Sequence, residues 1–421
     1  MAKELGFKKD WQFYRFCSYG FLKNQRFFEP FFMLFLLQKL LGNYTQVMFL
    51  YSLKFAVRAI LEIPSGVVAD ALGRRSSLLF SYLLYIASFI VYYFSDTFYA
   101  LFIPSIIFGV GDAFRTGSHK AMIIEYLNLK KWTKARTSYY GHTRSWSQYG
   151  SAISAVIAAV LMIFSENYDK IFLFTAIPYI IGSILLITYP KELDGKLDDQ
   201  GSLFENIKYA FYGSYKQLFN FKTLKRLSFV TYFEGFHFAM KDFVQPIMVT
   251  AVMALPIGLL YDTKDRTAIS LGLIYFVLHM FSALSSRKSS SYPNPSGITG
   301  VAINQLNILG AITGIGIAAL YLFDLPLMSG IMFIPLYIFL NMQKPFTVTY
   351  ISEKFTPTFL ATVLSIESQI VSIIGAIIAF VLGLLTQKYN IGIAIGVVSF
   401  VLFIISVVES FFRKIKDEEN K

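Results

Sequence analysis

The chain reads as a succession of apolar stretches, each ended by a short polar turn. In order they predict twelve helices: Phe13–Leu41, Val47–Leu72, Ser77–Phe94, Phe98–Leu127, Gly141–Phe164 and Ile171–Tyr189, then Leu227–Leu255, Ile269–Ser285, Ile298–Phe323, Leu327–Ile351, Phe359–Thr386 and Ile391–Phe412. A membrane span takes roughly 20 apolar residues, so each stretch has about the length of a span. The first, second, fourth and seventh carry charges in their interiors and are expected to score weakly on hydropathy alone. The longest polar segment falls halfway along, at 190–223. Within it Phe204, Ile207, Phe211, Tyr215 and Leu218 recur every three or four residues. That is one apolar stripe on a short helix, suited to lying along a membrane surface. The pattern predicts an all-α integral membrane protein with an N-terminal six-helix bundle (1–189), a linker (190–223) and a C-terminal six-helix bundle (224–421).

One polar turn stands out. An apolar helix runs into Leu61–Arg75, where Gly66, Asp70, Gly73, Arg74 and Arg75 follow in quick order before the next apolar stretch begins. The pattern Gly66-x-x-x-Asp70-x-x-Gly73-Arg74-Arg75 resembles the loop between the second and third helices of the major facilitator superfamily of membrane transporters. Ala71 stands where the family pattern usually has a basic residue. The resemblance implies two pseudo-symmetric bundles, transport by alternating access, and a central cavity lined by spans one, four, seven and ten. It also implies a gating role for the motif, with Asp70 latched against span eleven. An aspartate there is suited to the positive N-terminal end of a neighbouring helix, with the two arginines at the headgroups. The matching loop of the second half, Ser286-Arg287-Lys288-Ser289, keeps the basic pair without the aspartate or glycines, so such a latch is asymmetric.

An internal repeat supports two halves. Residues 147–161 align with residues 368–382 at an offset of 221, with nine of fifteen pairs identical. The polar head Ser147-Gln148-x-x-Ser151 against Ser368-Gln369-x-x-Ser372 is the informative part. A second echo sets Arg26-Phe27-Phe28-Glu29-Pro30 against Asp242-Phe243-Val244-Gln245-Pro246. Spans five and eleven, and one and seven, are the pairs that a two-fold axis normal to the membrane relates in a six-plus-six transporter.

Composition agrees. Charged residues make up 15% of the chain, against about 25% in soluble proteins, so twelve spans with short loops leave little for a soluble domain. The net charge of +12 follows the loops rather than forming a basic face, and no nucleic-acid-binding motif appears. With the N-terminus inside, 23 lysines and arginines fall in inner segments and four (Lys170, Lys264, Arg266, Lys388) in outer ones. The positive-inside rule then places both termini in the cytoplasm of a multi-pass protein of the cytoplasmic (inner) or plasma membrane. One cysteine, Cys17, excludes an internal disulfide. The four histidines show no paired metal-ligand spacing. No catalytic triad, phosphate loop or nucleotide signature occurs, so neither an enzyme nor an ATP-driven pump is expected, and no metal or cofactor.

The chemistry expected of the chain lies in its intramembrane charges. An ionisable group at a helix centre costs about 2.5–3.5 kcal/mol on insertion scales and usually faces the protein interior. Counted from span ends, Arg26, Glu29, Asp112, Arg115, Lys241, Asp242 and Asn341 fall near mid-depth. Arg58 and Glu62 share a face of span two with Lys54. These nine residues are the candidates for substrate binding or coupling, with Glu29, Asp112 and Asp242 as carboxylates whose protonation burial and nearby cations could tune. Glu29 with Arg26, and Asp112 with Arg115, could equally be structural pairs at a spacing of three. Arg26 and Asp242, at matching places in the repeats, are expected to face each other. The reading is a monomeric secondary transporter for a small polar or anionic solute, coupled to protons. The alternatives are a proton-coupled efflux pump for drugs or metabolites, which the lack of a Gly-Pro pair in span five disfavours, and a transporter-like receptor or lipid-handling protein.

Overall fold

The computed structural model describes residues 7–116, 118–132, 136–165, 167–193, 221–254, 262–288, 299–354 and 360–418. Among them the regular elements are helical and no strand occurs. In chain order the α-helices are α1 (Trp11–Lys23), α2 (Phe32–Lys39), α3 (Tyr44–Leu72), α4 (Arg74–Phe94), α5 (Phe98–Arg115), α6 (Ser118–Leu129), α7 (Arg136–Phe164), α8 (Lys170–Ile187), α9 (Phe221–Met240), α10 (Val244–Ala254), α11 (Thr263–Lys288), α12 (Thr299–Leu322), α13 (Pro326–Ile331), α14 (Phe333–Lys354), α15 (Leu360–Lys388) and α16 (Ile391–Glu418). The amphipathic helix expected over Phe204–Leu218 and the side chain of Asp70 lie outside the described residues.

Nine helical stretches among the described residues are long and apolar enough to cross a membrane. They correspond to predicted stretches three to six and eight to twelve. The fourth, expected to score weakly, meets the criterion over Phe98–Leu129, because its charges crowd the inner end and leave residues 98–111 apolar. The second is one continuous helix, α3, whose Lys54, Arg58, Glu62 and Asp70 dilute its hydropathy. The first and seventh are not continuous. The first breaks after Lys23, passes through a single 3-10 turn at Glu29–Phe31, and resumes as α2; the seventh breaks at a 3-10 turn over Lys241–Phe243 and resumes as α10. Both breaks precede or contain a proline, Pro246 and Pro30, which lacks the N–H that a continuous helix needs. In the Arg26–Pro30 and Asp242–Pro246 echo both helices are interrupted, the second turn starting four residues earlier in the register than the first.

A helix break inside a membrane must have its freed backbone groups satisfied by other protein groups. At the first break Asn24 Nδ2 donates to the Gly20 carbonyl (2.7 Å) and Tyr179 OH to the Lys23 carbonyl (2.8 Å). On the far side the N–H groups of Met33 and Leu34 both donate to Gln245 Oε1, at 2.8 and 3.3 Å. Gln245 thus carries out, from the second broken stretch, the capping that the first cannot provide for itself. Pro104 inside α5 removes the donor for the Ala100 carbonyl, which accepts from Ser95 Oγ instead (3.4 Å).

Helices pack closely where small residues meet, as expected without a hydrophobic drive between apolar helices in lipid. The principal contacts are α3 with α15, α7 with α11, α12 with α16, and α5 with α3 and α4. The α3–α15 contact runs from Tyr44 N–H on Gln387 Oε1 (2.8 Å) to Gln369 Nε2 on the Ala59 carbonyl (2.8 Å). At α7–α11, a Cβ on Gly272 would stand 2.5 Å from Ala159 Cβ. The turn between α3 and α4 is made by Gly73 at φ +95°, a conformation that side-chain-bearing residues rarely adopt.

Candidate functional site

The charged side chains gather at the helix breaks, in two adjoining clusters. The first lies between α1, α4, α5 and α8. Asp112 Oδ1 on α5 stands 3.2 Å from Arg115 Nη2 and 3.6 Å from Arg26 Nη2, and accepts a hydrogen bond from Tyr85 OH. Arg115 Nε donates to Tyr85 OH (2.8 Å), and Arg26 Nε to Tyr179 OH (2.8 Å). The Arg26 guanidinium also lies 5.3 Å from the ring centres of Tyr85 and Phe108. Two guanidiniums thus share one carboxylate, and two tyrosine hydroxyls extend the network. Planar guanidinium suits both the carboxylate and the ring faces.

The second cluster joins the two broken stretches. Lys241 Nζ pairs with Glu29 Oε1 and stands 3.7 Å from Asp242 Oδ1, which accepts from Tyr275 OH at 3.4 Å. Gln245, fully buried, donates to the Glu29 carbonyl (2.9 Å) and to Tyr275 OH (3.1 Å) while accepting from Met33 and Leu34. All four hydrogen-bonding positions of its amide are used. Lys241 and Glu29 keep 21% and 28% of their side-chain surface exposed, so the pair is neither sealed nor on the surface. Beside it Arg26, Glu29, Ser151, Ser154, Tyr275 and His279 line a narrow crevice, too tight as it stands to enclose a solute.

The remaining candidates lie on the flanking helix contacts. Arg58 Nε is 3.4 Å from Glu62 Oε2 on its own helix, and its Nη2 donates to Ser368 Oγ on α15 (2.9 Å). Asn341 on α14 donates to the Tyr337 carbonyl (2.9 Å) and Ser282 Oγ (3.1 Å) and accepts from Arg144 Nη2 on α7 (3.3 Å). In the turn motif, Gly66 lies within α3, Gly73 makes the reversal, Arg74 begins α4, and Arg75 Nη1 donates to the Tyr189 carbonyl (3.2 Å).

The spacing-of-three pair Asp112–Arg115 forms. The pairing of Glu29 with Arg26 does not: Glu29 turns to Lys241, because the helix stops before residue 26 and the regular three-residue spacing on one face is lost. Arg26 and Asp242 likewise pair with Asp112 and Lys241 rather than with each other. Tyr85, Tyr179, Tyr275, Lys54 and Arg144 escaped selection from the sequence. Lys54 carried a visible signal as an intramembrane charge, and its ammonium lies 4.7 to 5.5 Å from the ring centres of Tyr51, Phe32, Phe108 and Phe55. The tyrosines had no signal distinguishing them from lipid-facing aromatics.

A chain of apolar helices with charges gathered inward at helix breaks is a multi-pass membrane protein. It belongs to the major facilitator superfamily, whose family pattern matches residues 16–368, and is a membrane transporter. No curated protein sequence matches the chain. Solved structures share the fold at low identity. A mutant form of the nucleoside transporter NupG superposes with a TM-score of 0.70 at 15% identity, over 95% of this chain and 98% of that one. The human organic anion transporter MFSD10 (TETRAN) gives 0.64 at 14%, over 93% and 97%. A POT family transporter in complex with a thioalcohol-conjugated peptide gives 0.63 at 15%, over 96% and 95%.

Proposed function

We propose that the protein is a secondary active transporter that moves a small polar or anionic solute by alternating access, coupled to protons. The observation that carries this reading is the Glu29–Lys241 ion pair, which ties the broken first stretch to the broken seventh beside the Gln245 bridge. An ion pair that is partly exposed and sits at a discontinuity in both helices is suited to breaking and re-forming. A proton on Glu29 would remove the charge that holds Lys241, and would loosen the contact between α2 and α10. Asp112 and Asp242 are the other carboxylates placed to exchange a proton or to hold a cationic partner of the solute. Arg26, Arg115 and Lys241 supply donors to the solute. Asn341, whose amide N–H groups are taken by Ser282 and Tyr337, serves the site through its oxygen, and Arg58 and Glu62 transmit movement along α3 to α15. The turn from Gly66 to Arg75, through Asp70, Gly73 and Arg74, acts as the gating hinge on the cytoplasmic side.

In this reading the broken helices count as single spans, which makes twelve. The halves are 1–189 and 224–421, joined by 190–223 as a cytoplasmic linker, and the protein works as a monomer in a cytoplasmic or plasma membrane with both termini inside. The named substrates of the similar structures, nucleosides and organic anions, are small polar solutes and support that class.

The test is counterflow of labelled nucleosides, dicarboxylates and phosphate in proteoliposomes, with and without an imposed pH gradient. Arg26→Gln and Asp242→Asn should each abolish flux while the purified variants remain monodisperse. Normal flux in either variant removes that residue from the site, and flux indifferent to the pH gradient removes proton coupling.

A further inference from the structure

A third group of cations lies beside the two clusters, and contacts connect its members one by one. Lys120 Nζ on α6 sits 5.7 Å from the centre of the Tyr140 ring on α7. Arg144 follows Tyr140 by four residues and so shares its helix face. Arg144 Nη2 donates to Asn341 Oδ1 on α14 (3.3 Å). Lys344 follows Asn341 by three residues, on the same face of α14, and its Nζ is 2.6 Å from Glu234. Nearer the first break, Lys23 Nζ lies 5.8 Å from the Tyr19 ring centre. Gly20, one turn before Lys23, is in such close contact with α7 that a Cβ there would meet Ser147 Oγ at 2.6 Å.

Among the described residues, neither Lys23, Lys120 nor Arg144 has a carboxylate within ion-pair distance. This contrasts with Arg26, Arg58, Arg115, Lys241 and Lys344, which all have one. Cations inside a membrane protein normally face a partner or a pathway. Here three of them have no directly paired carboxylate, although Glu367 on α15 is near enough to act on Lys120, and the guanidinium is already oriented. Asn341 is fixed by its bonds to Ser282 and the Tyr337 carbonyl, so its oxygen is held toward Arg144. The Arg144 guanidinium thus meets two neutral partners, Asn341 Oδ1 and the Tyr140 side chain on its own helix face, and its charge is left for a planar, doubly accepting group.

We infer that Lys120, Arg144 and Lys344, oriented by Asn341 and backed by Lys23, form a binding site for a solute bearing at least two negative charges on carboxylate or phosphate groups. This rests on the transporter reading above and narrows its substrate from polar or anionic to multiply anionic. Because α6 and α7 come from one half of the sequence and α14 from the other, an anion bound here neutralises cations of both at once. Its occupancy would therefore draw the inner ends of those helices together, which links binding to closure.

The experiment is thermal unfolding of the purified full chain in neutral detergent at matched ionic strength, with phosphate, succinate, citrate, uridine or short-chain phosphatidylglycerol added. Citrate, succinate or phosphate should raise the midpoint by about 5 °C near saturation, and uridine should not. Arg144→Gln and Lys120→Gln should each weaken the stabilising anion roughly tenfold or more. Arg144→Lys, which keeps the charge without the fork, should fold and fall between. The site is overturned if uridine stabilises as well as the dianions, if only the lipid stabilises, or if dianion stabilisation is unchanged in both glutamine variants. Counterflow separates this failure from that of the transporter reading. Uridine flux that Arg144→Gln leaves intact overturns the anion site and keeps the transporter. Dianion stabilisation lost in the glutamine variants, with no flux of any solute, keeps the site and counts against transport.

Discussion

Gln245 offers the sharpest test of how the two broken stretches depend on each other. Its side chain is fully buried and makes four hydrogen bonds, three of them to backbone groups of Glu29, Met33 and Leu34. Gln245→Ala removes all four. Each buried backbone group left without a partner costs about 1–3 kcal/mol. The Leu34 bond is long at 3.3 Å and counts for little, so two well-made backbone bonds decide the sum, about 2–6 kcal/mol. That penalty applies only while α2 and α10 are closed on each other. Once the end opens, water satisfies the same groups and the penalty disappears. The substitution should therefore shift the balance between closed and open by about thirtyfold to ten-thousandfold, at ~1.4 kcal/mol for each factor of ten.

The assay is a distance measurement. Cys17 is the sole native cysteine and is replaced by serine. Cysteines are then placed at Leu41 and Met253, which are 96% and 67% exposed just beyond α2 and near the end of α10, and labelled with nitroxides. Pulsed electron resonance should show a longer component growing in Gln245→Ala. Gln245→Leu, which keeps most of the volume, should show it too, and so separates lost hydrogen bonds from a cavity. Distance distributions identical to the parent in both variants would refute the reasoning: Gln245 would then be a structural contact kept in every state.

Two further predictions concern the frame. Gly73→Ala places a Cβ at φ +95°, which costs about 1–2 kcal/mol; the unfolding midpoint should fall by a few degrees, and an unchanged midpoint would mean that the turn relaxes without strain. Gly272→Leu forces a side chain against Ala159, where even a Cβ would stand at 2.5 Å. Overpacking of about 1–3 kcal/mol should lower both the midpoint and the monodisperse fraction on gel filtration, and Gly272→Ala should do so less. Equal behaviour of the two variants would show that α7 and α11 part freely at that point.

The span-length pattern was legible because apolar run length is a local property, and so was the turn motif. Two charged pairs were equally legible: Asp112–Arg115 and Arg58–Glu62 lie on one helix, where a spacing of three or four fixes proximity. The contacts that assemble the clusters were not. Glu29 and Lys241 are 212 residues apart, and no spacing rule brings them together. A buried tyrosine such as Tyr85 looks in sequence like any lipid-facing aromatic; only the packing of α4 against α5 turns its hydroxyl toward Asp112. The breaks themselves were half visible. Pro30 and Pro246 marked where a helix could fail, but proline inside a helix is tolerated when neighbours satisfy the freed groups, as at Pro104 in α5.

The two breaks fall at the same echo of the internal repeat, yet their chemistry differs. Where the first half has Arg26 and Glu29, the second has Asp242 and Gln245. The exchange of charge lets each half supply what the other lacks: Lys241 neutralises Glu29, and the Gln245 amide caps α2. Identical residues at both places would have set like charges against each other and left the backbone of α2 uncapped. In place of the glutamine, a glutamate at residue 245 could accept from Met33 and Leu34 but could not donate to the Glu29 carbonyl, and would add a third carboxylate around one lysine. The neutral amide is the side chain of that size that both accepts and donates there. The asymmetry of the repeat is thus a requirement of the contact between the two broken stretches.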